Sequence, residues 1–107
     1  MDEKEFEQRG AEALRQLEAA LRDAADELDV DLAGDILTLE FDDGEKFVVN
    51  SHSAARQIWL AASLSAMHFG WHEATQSWRD TKSGAELFTE LGRLVSAKLS
   101  QPVKLRE

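Results

Sequence analysis

Apolar residues recur every three or four positions along the first stretch of the chain: Phe6, Ala13, Leu14, Leu17, Leu21, Ala24 and Leu28. That spacing places them on one face of an α-helix. No proline interrupts residues 3–27, and Ala, Leu, Glu, Gln and Arg, all strong helix formers, dominate them. Glu7, Glu12, Glu18, Asp23, Asp26 and Glu27 occupy the other side, so the pattern predicts a long amphipathic helix with one acidic face. The period then changes from 3.6 to two. Leu28-Asp29-Val30-Asp31-Leu32 alternates as a half-buried strand does, with Asp29 and Asp31 on the wet side. Strand-like runs at 36–41 and 46–50 flank Asp42-Asp43-Gly44-Glu45, and Asp-Gly between two such runs marks a hairpin. Residues 57–62, 67–72 and 77–80 read as three further strands.

Ser83 is the predicted start of a second helix, with Glu86 three residues on completing a capping box. Leu87, Phe88, Leu91, Leu94, Val95 and Leu99 form its apolar stripe, Pro102 stops it, and Val103-Lys104-Leu105 is a short tail. Short connections between strands favour antiparallel pairing. Amphipathic helices at the two chain ends must then cover one face of the sheet. The expected fold is an α+β two-layer sandwich: an antiparallel sheet of five to six strands, with the N- and C-terminal helices packed on one face. A chain of 107 residues fits a single domain, 1–107. The second sheet face is left to solvent or to a partner.

Charge sharpens this picture. Residues 1–45 hold 16 of the 21 acids and 4 of the 12 bases, a local balance of −12, whereas residues 46–107 carry +3. Crowded like charges repel unless a counter-charge arrives. Metal cations or a basic protein surface would supply it. Nucleic acid is excluded as a partner, because phosphate binding needs clustered Lys and Arg. The absence of cysteine excludes disulfides, thiolate zinc sites and thiol catalysis. No 18-residue apolar run exists, so no membrane span is expected. The acidic start Met1-Asp2-Glu3-Lys4-Glu5 is unlike a signal or transit peptide, which makes the cytoplasm the expected location.

Six carboxylates form the candidate metal-binding set: Glu18, Asp23, Asp26, Glu27, Asp29 and Asp31. Carboxylate oxygens are hard ligands suited to Mg²⁺, Ca²⁺, Mn²⁺ and iron. On a continuous helix Asp23 and Glu27 would be surface neighbours. On one strand face Asp29 and Asp31 would stand roughly 7 Å apart. Such pairs share a cation or its water shell without building a closed cage, so weak and multiple sites are expected. Asp23, Asp26 and Glu27 also sit at the helix end where the macrodipole disfavours negative charge. A solvated helix face with charges guarding an edge strand is the alternative reading.

The remaining chemistry is sparse. His68 and His72 would suit one metal on a helix, but on a strand about 13 Å separates them. His52 falls in an expected loop with no evident partner. Alternation puts Ile58 and Leu60 on one face and Trp59 on the other, so Trp59 is expected on the open face if the helices cover Ile58. Trp71 and Trp78 are read as structural. No nucleophile elbow, phosphate loop or two-carboxylate cleft is present, and the chain is expected not to be an enzyme.

Together these segments resemble the frataxin family, bacterial type, over nearly the whole length. The resemblance rests on the acidic helix running into Asp29-Val30-Asp31, on Leu37-Thr38-Leu39 with Asp43-Gly44, and on Val49-Asn50. It continues through Gln57-Ile58-Trp59-Leu60-Ala61, His68-Phe69, Trp78 and Ser83-Gly84. It implies an iron-binding regulator of iron–sulfur cluster assembly that docks on a cysteine desulfurase and its scaffold protein. Fe²⁺ or Fe³⁺ would be held weakly, with other divalent cations as substitutes, and the protein would be a monomer without metal. Asn50, Gln57 and Trp59 match the family's partner-facing sheet positions. Weak ferroxidase activity and a metal-independent acidic interaction module are the alternatives. Ala19, Arg22, Ala24 and Ala25 interrupt the paired acids that the family pattern carries here, which affects the number and strength of sites.

Overall fold

Each strand of the computed structural model, which describes residues 1–105, pairs antiparallel with its neighbour in sequence. The order is α1 (Glu3–Ala24), β1 (Asp29–Ala33), β2 (Ile36–Glu40), β3 (Lys46–His52), β4 (Gln57–Ala62), β5 (Ser65–His72), β6 (Ser77–Asp80) and α2 (Leu87–Leu99). The six strands lie side by side in that order. Gly44 makes the β2–β3 turn at φ +88°, where an L side chain is strained, and its N–H donates to the Phe41 carbonyl at 2.9 Å.

Alternation decides which side chains meet the helices. Val30, Leu37, Leu39, Phe47, Val49, Ile58, Leu60 and Phe69 point into one core with Phe6, Leu14, Leu17 and Leu21 of α1 and Leu87, Leu91 and Val95 of α2. Burying each such side chain stabilises the fold by about 1.5–3 kcal/mol. Asp29, Asp31, Glu40, Trp59 and His68 occupy the opposite parity and the uncovered face.

Two helix boundaries differ from the expectation. α1 is capped by Asp2, whose carboxylate accepts the Glu5 N–H at 2.7 Å, but it ends at Ala24 rather than near 27. Ala25 turns extended and is buried while Ala24 is exposed. The turn at 26–28 lets Leu28 and Val30 enter the core, and that burial overrides helix propensity. At α2 the cap is Glu86, not Ser83: its carboxylate accepts the N–H groups of Phe88 and Thr89 at 2.9 and 3.0 Å. Ser83 bonds backwards, donating N–H and O–H to Asp80 Oδ2 at 3.0 and 2.7 Å. A β-bridge between Arg79 and Glu86 holds the approach extended, so a helix cannot begin at Ser83.

The tail after Pro102 folds back on α2. Val103 N–H donates to Ser96 Oγ at 2.8 Å, and Val103 and Leu105 are buried. Gly92 makes room for it, since a Cβ there would stand 3.3 Å from the Val103 carbonyl oxygen. β3 extends to His52, which is therefore a strand residue, not a loop residue.

Candidate functional site

The six candidate carboxylates gather where α1 hands over to β1, with unequal surroundings. Glu18 is half-buried and accepts Arg22 Nη2 at 3.0 Å. Asp23 is exposed on the last turn of α1, whereas Asp26 and Glu27 lie in the following turn, so Asp23 and Glu27 are not helical neighbours. Glu27 accepts Gln101 Nε2 at 2.9 Å, which ties the turn to the segment after α2. Asp29 and Asp31 are exposed on the open face of β1. No ion pair among the described residues engages Asp23, Asp26, Asp29 or Asp31. Glu40, missed in the sequence, is exposed directly opposite Asp29 in the β1–β2 register. The hairpin register was the signal for it.

This arrangement presents hard oxygen donors to solvent without enclosing anything. Among the described residues no three Asp, Glu or His side chains converge as a metal centre. The donor chemistry fits a hard cation such as iron, but one or two carboxylates and water would have to hold it. Other acids of the same half are already neutralised. Lys98 Nζ donates to Asp43 Oδ2 at 2.6 Å and to Glu45 Oε1 at 2.7 Å. The Lys98 hydrogen bonds hold the Asp43 and Glu45 carboxyls below their usual range, and the same bonds raise the Lys98 ammonium.

The open face carries a second feature. Trp59 is half-buried on β4 with His52 stacked on one side and His68 on the other, at centroid distances of 4.0 and 4.5 Å and interplanar angles of 17° and 15°. Asn50 and His68 are its register partners on β3 and β5. Trp59 Nε1–H donates to Gln57 Oε1 at 2.8 Å, so Asn50, Gln57 and Trp59 do share one patch. His52 Nδ1 accepts the Ala55 N–H at 3.3 Å. Sequence reasoning separated these histidines from Trp59 because only the register joins them.

Trp71 and Trp78 face the helices. Trp78 is buried edge-on against Phe6 at 5.7 Å and Trp71 at 5.4 Å, while the Arg9 guanidinium lies 4.4 Å over Trp71. Near them, burial would push the Asp80 carboxyl up, but hydrogen bonds from the Ser83 hydroxyl and the backbone N–H groups of Ser83 and Lys82 outweigh it and hold it low. Among the described residues no helix is long and apolar enough to cross a membrane.

A meander of six antiparallel strands under two terminal helices, with an acid-rich α1–β1 junction and an indole on the open face, defines a frataxin-like protein. The family model described as the frataxin-like domain matches residues 1–101, and the chain belongs to that family. The iron-sulfur cluster assembly protein CyaY of Dechloromonas aromatica is 42% identical over 107 residues, covering 99% of this chain and all of that protein. The CyaY protein of Ralstonia nicotianae is 38% identical, over 98% of this chain and 95% of its own. A solved frataxin from Psychromonas ingrahamii superposes with a TM-score of 0.91 at 27% identity, covering both chains fully.

Proposed function

We propose that this protein takes part in iron–sulfur cluster assembly as a regulator rather than an enzyme. In this reading it works in the cytoplasm, binds Fe²⁺ or Fe³⁺ weakly at the α1–β1 junction and docks on a cysteine desulfurase with its scaffold protein. One observation carries the reading: Asp23, Asp26, Asp29 and Asp31 stand exposed and take part in no ion pair among the described residues. A like-charged surface of this kind attracts either metal ions or a basic protein groove, and the relatives' names, iron-sulfur cluster assembly protein CyaY, support a setting in which iron is handled. Titrating Fe²⁺ into isotope-labelled protein under anaerobic conditions should broaden amide resonances of residues 18–31 selectively. Unchanged spectra at millimolar iron would remove the metal from the proposal.

That no three ligands converge among the described residues favours one second reading, a metal-independent acidic docking module. The two separate cleanly. If desulfurase binding without metal depends on these carboxylates while iron uptake is negligible, the second reading holds.

A further inference from the structure

The β2–β3 turn carries the one Asp-Gly pair of the chain, Asp43-Gly44, and no Asn-Gly pair occurs. Every other aspartate precedes a residue with a side chain. Glycine has no Cβ to shield its nitrogen or stiffen the backbone, so Asp-Gly is the pair most open to attack by the main chain on the aspartate carboxyl. In that reaction the Gly44 nitrogen bonds to Asp43 Cγ and gives its proton to solvent. The Cγ hydroxyl takes up a proton and leaves as water, closing a five-membered succinimide. Water then adds to either imide carbonyl. Opening at Cγ returns aspartate, whereas opening at the Asp43 main-chain carbonyl leaves isoaspartate. One water leaves and one returns, and nothing is oxidised or reduced.

Ring closure needs a free Gly44 N–H, a carboxyl with a hydroxyl to lose, and a turn loose enough to bring the two together. The fold withholds all three. Gly44 N–H donates to the Phe41 carbonyl at 2.9 Å, and Phe41 N–H donates to the Glu45 carbonyl at 2.9 Å, which closes the turn. Asp43 Oδ1 accepts the Glu45 N–H at 2.9 Å, so the carboxylate is drawn past Gly44 toward the next residue. Asp43 Oδ2 accepts Lys98 Nζ at 2.6 Å, and these bonds favour the ionised form, which has no hydroxyl to lose. Water is not kept out: the Asp43 side chain is 58% exposed, and nothing lies within 4 Å of where a Cβ on Gly44 would stand. Protection therefore rests on held atoms, and it lasts only while the turn and the clasp are formed.

We infer that Asp43-Gly44 is the isoaspartate-forming site of this protein, and that Lys98, reaching over from the last turn of α2, is the latch that holds it shut. Conversion then records opening of the β2–β3 turn. The product runs the main chain through Cβ and Cγ, adding one carbon to a tight turn, and its carboxylate springs from Cα. Lys98 cannot remake the same clasp on it. That new carboxylate is the substrate class of an S-adenosylmethionine-dependent isoaspartate methyltransferase, which moves the sulfonium methyl onto a carboxylate oxygen.

The test incubates the full chain at neutral pH, folded and in urea, and follows isoaspartate by methyltransferase labelling and by peptide mapping in a mass spectrometer. The folded chain should convert at least about tenfold more slowly than the chain in urea, because the reaction passes through the open fraction of the turn. Lys98→Met should speed conversion of the folded protein about threefold or more, and Lys98→Arg should bring it back near the wild-type rate. Glu45→Gln leaves the Lys98–Asp43 bond in place, so it should keep the wild-type rate; general loosening of the turn would speed both variants alike. Should Lys98→Met unfold, Lys98→Gln is read instead, with a smaller acceleration expected. Equal rates in the folded and urea-treated chain, a wild-type rate in the Lys98 variant, equal acceleration by Glu45→Gln, or isoaspartate arising first at another residue overturns the inference.

Discussion

Two sets of carboxylates from the same acidic half of the chain end in opposite circumstances. Asp43 and Glu45, at the β2–β3 turn, are clasped by Lys98 from the last turn of α2. Asp23, Asp26, Asp29 and Asp31, at the α1–β1 junction, have no such clasp among the described residues. In sequence the two sets are alike: short acidic runs beside a turn. The fold makes them different by bringing a lysine 55 residues distant onto one set, whereas beside the other the neighbouring Glu27 receives the neutral amide of Gln101. Charge density along a chain therefore does not identify a binding surface; the charge left over after folding does.

The comparison is broken most violently through the scaffold under the junction. Leu21 is fully buried one turn before α1 ends, and Leu21→Ala should cost about 2–5 kcal/mol. Urea unfolding would measure it, and iron broadening of residues 18–31 should weaken in parallel, because the carboxylates lose their fixed placement. Next comes charge reversal. Asp29→Lys with Asp31→Lys should weaken desulfurase docking about a hundredfold or more at low ionic strength, since like charges facing across an interface cost several kcal/mol. Asp43→Asn should leave docking nearly unchanged. Equal losses from both would mean that the clasped acids are as available as the unclasped ones.

A smaller effect should separate the sets by sign. Neutralising Asp23, Asp26, Asp29 and Asp31 to Asn removes repulsion, so Tm at low salt should rise and the gain should shrink as salt screens the surface. Neutralising Asp43 and Glu45 removes partners of Lys98, so Tm should fall. Differential scanning calorimetry at two salt concentrations reads both. The same sign for both sets would show that the clasp is not a net attraction.

The faces of the elements were legible in the sequence because periodicity reports burial directly. Phe6, Leu14, Leu17 and Leu21 lie on one side of α1, and Asp29 and Asp31 on the wet side of β1, as the spacing predicts. The family resemblance drawn from the Gln57–Ala61 block and its flanks is the family the chain belongs to. What stayed hidden was everything set by contacts between distant segments. The Lys98 clasp, the Gln101–Glu27 bond and the stacking of His52 and His68 on Trp59 depend on cross-strand register and helix placement, which no local pattern encodes. The end of α1 was misplaced for a related reason. Leu28 keeps the helical period yet reaches the core from a turn, so spacing alone could not distinguish the two. Ser83 was misread as a cap because Asp80 competes for its N–H and hydroxyl.

The smallest effect is the pH window of the clasp, and its sign follows from the direction of each shift. Asp43 and Glu45 are held below their usual values of 3.8 and 4.5 by the Lys98 hydrogen bonds. Their contribution is therefore complete above those values and is lost as pH falls through the lower folded-state ones. Lys98 is raised above 10.5 by the bonds to Asp43 and Glu45. Its contribution is complete below 10.5 and is lost as pH rises through the higher folded-state value. Lys98→Met should accordingly lower Tm by a few degrees at most across neutral pH, since all three groups are solvent-facing and such pairs are weak. The difference from wild type should close at both extremes, in strong acid and again in strong base. A difference that persisted at low pH would mean that Lys98 acts through packing on Phe41, whose ring centroid lies 5.7 Å from Nζ, and not through the two carboxylates.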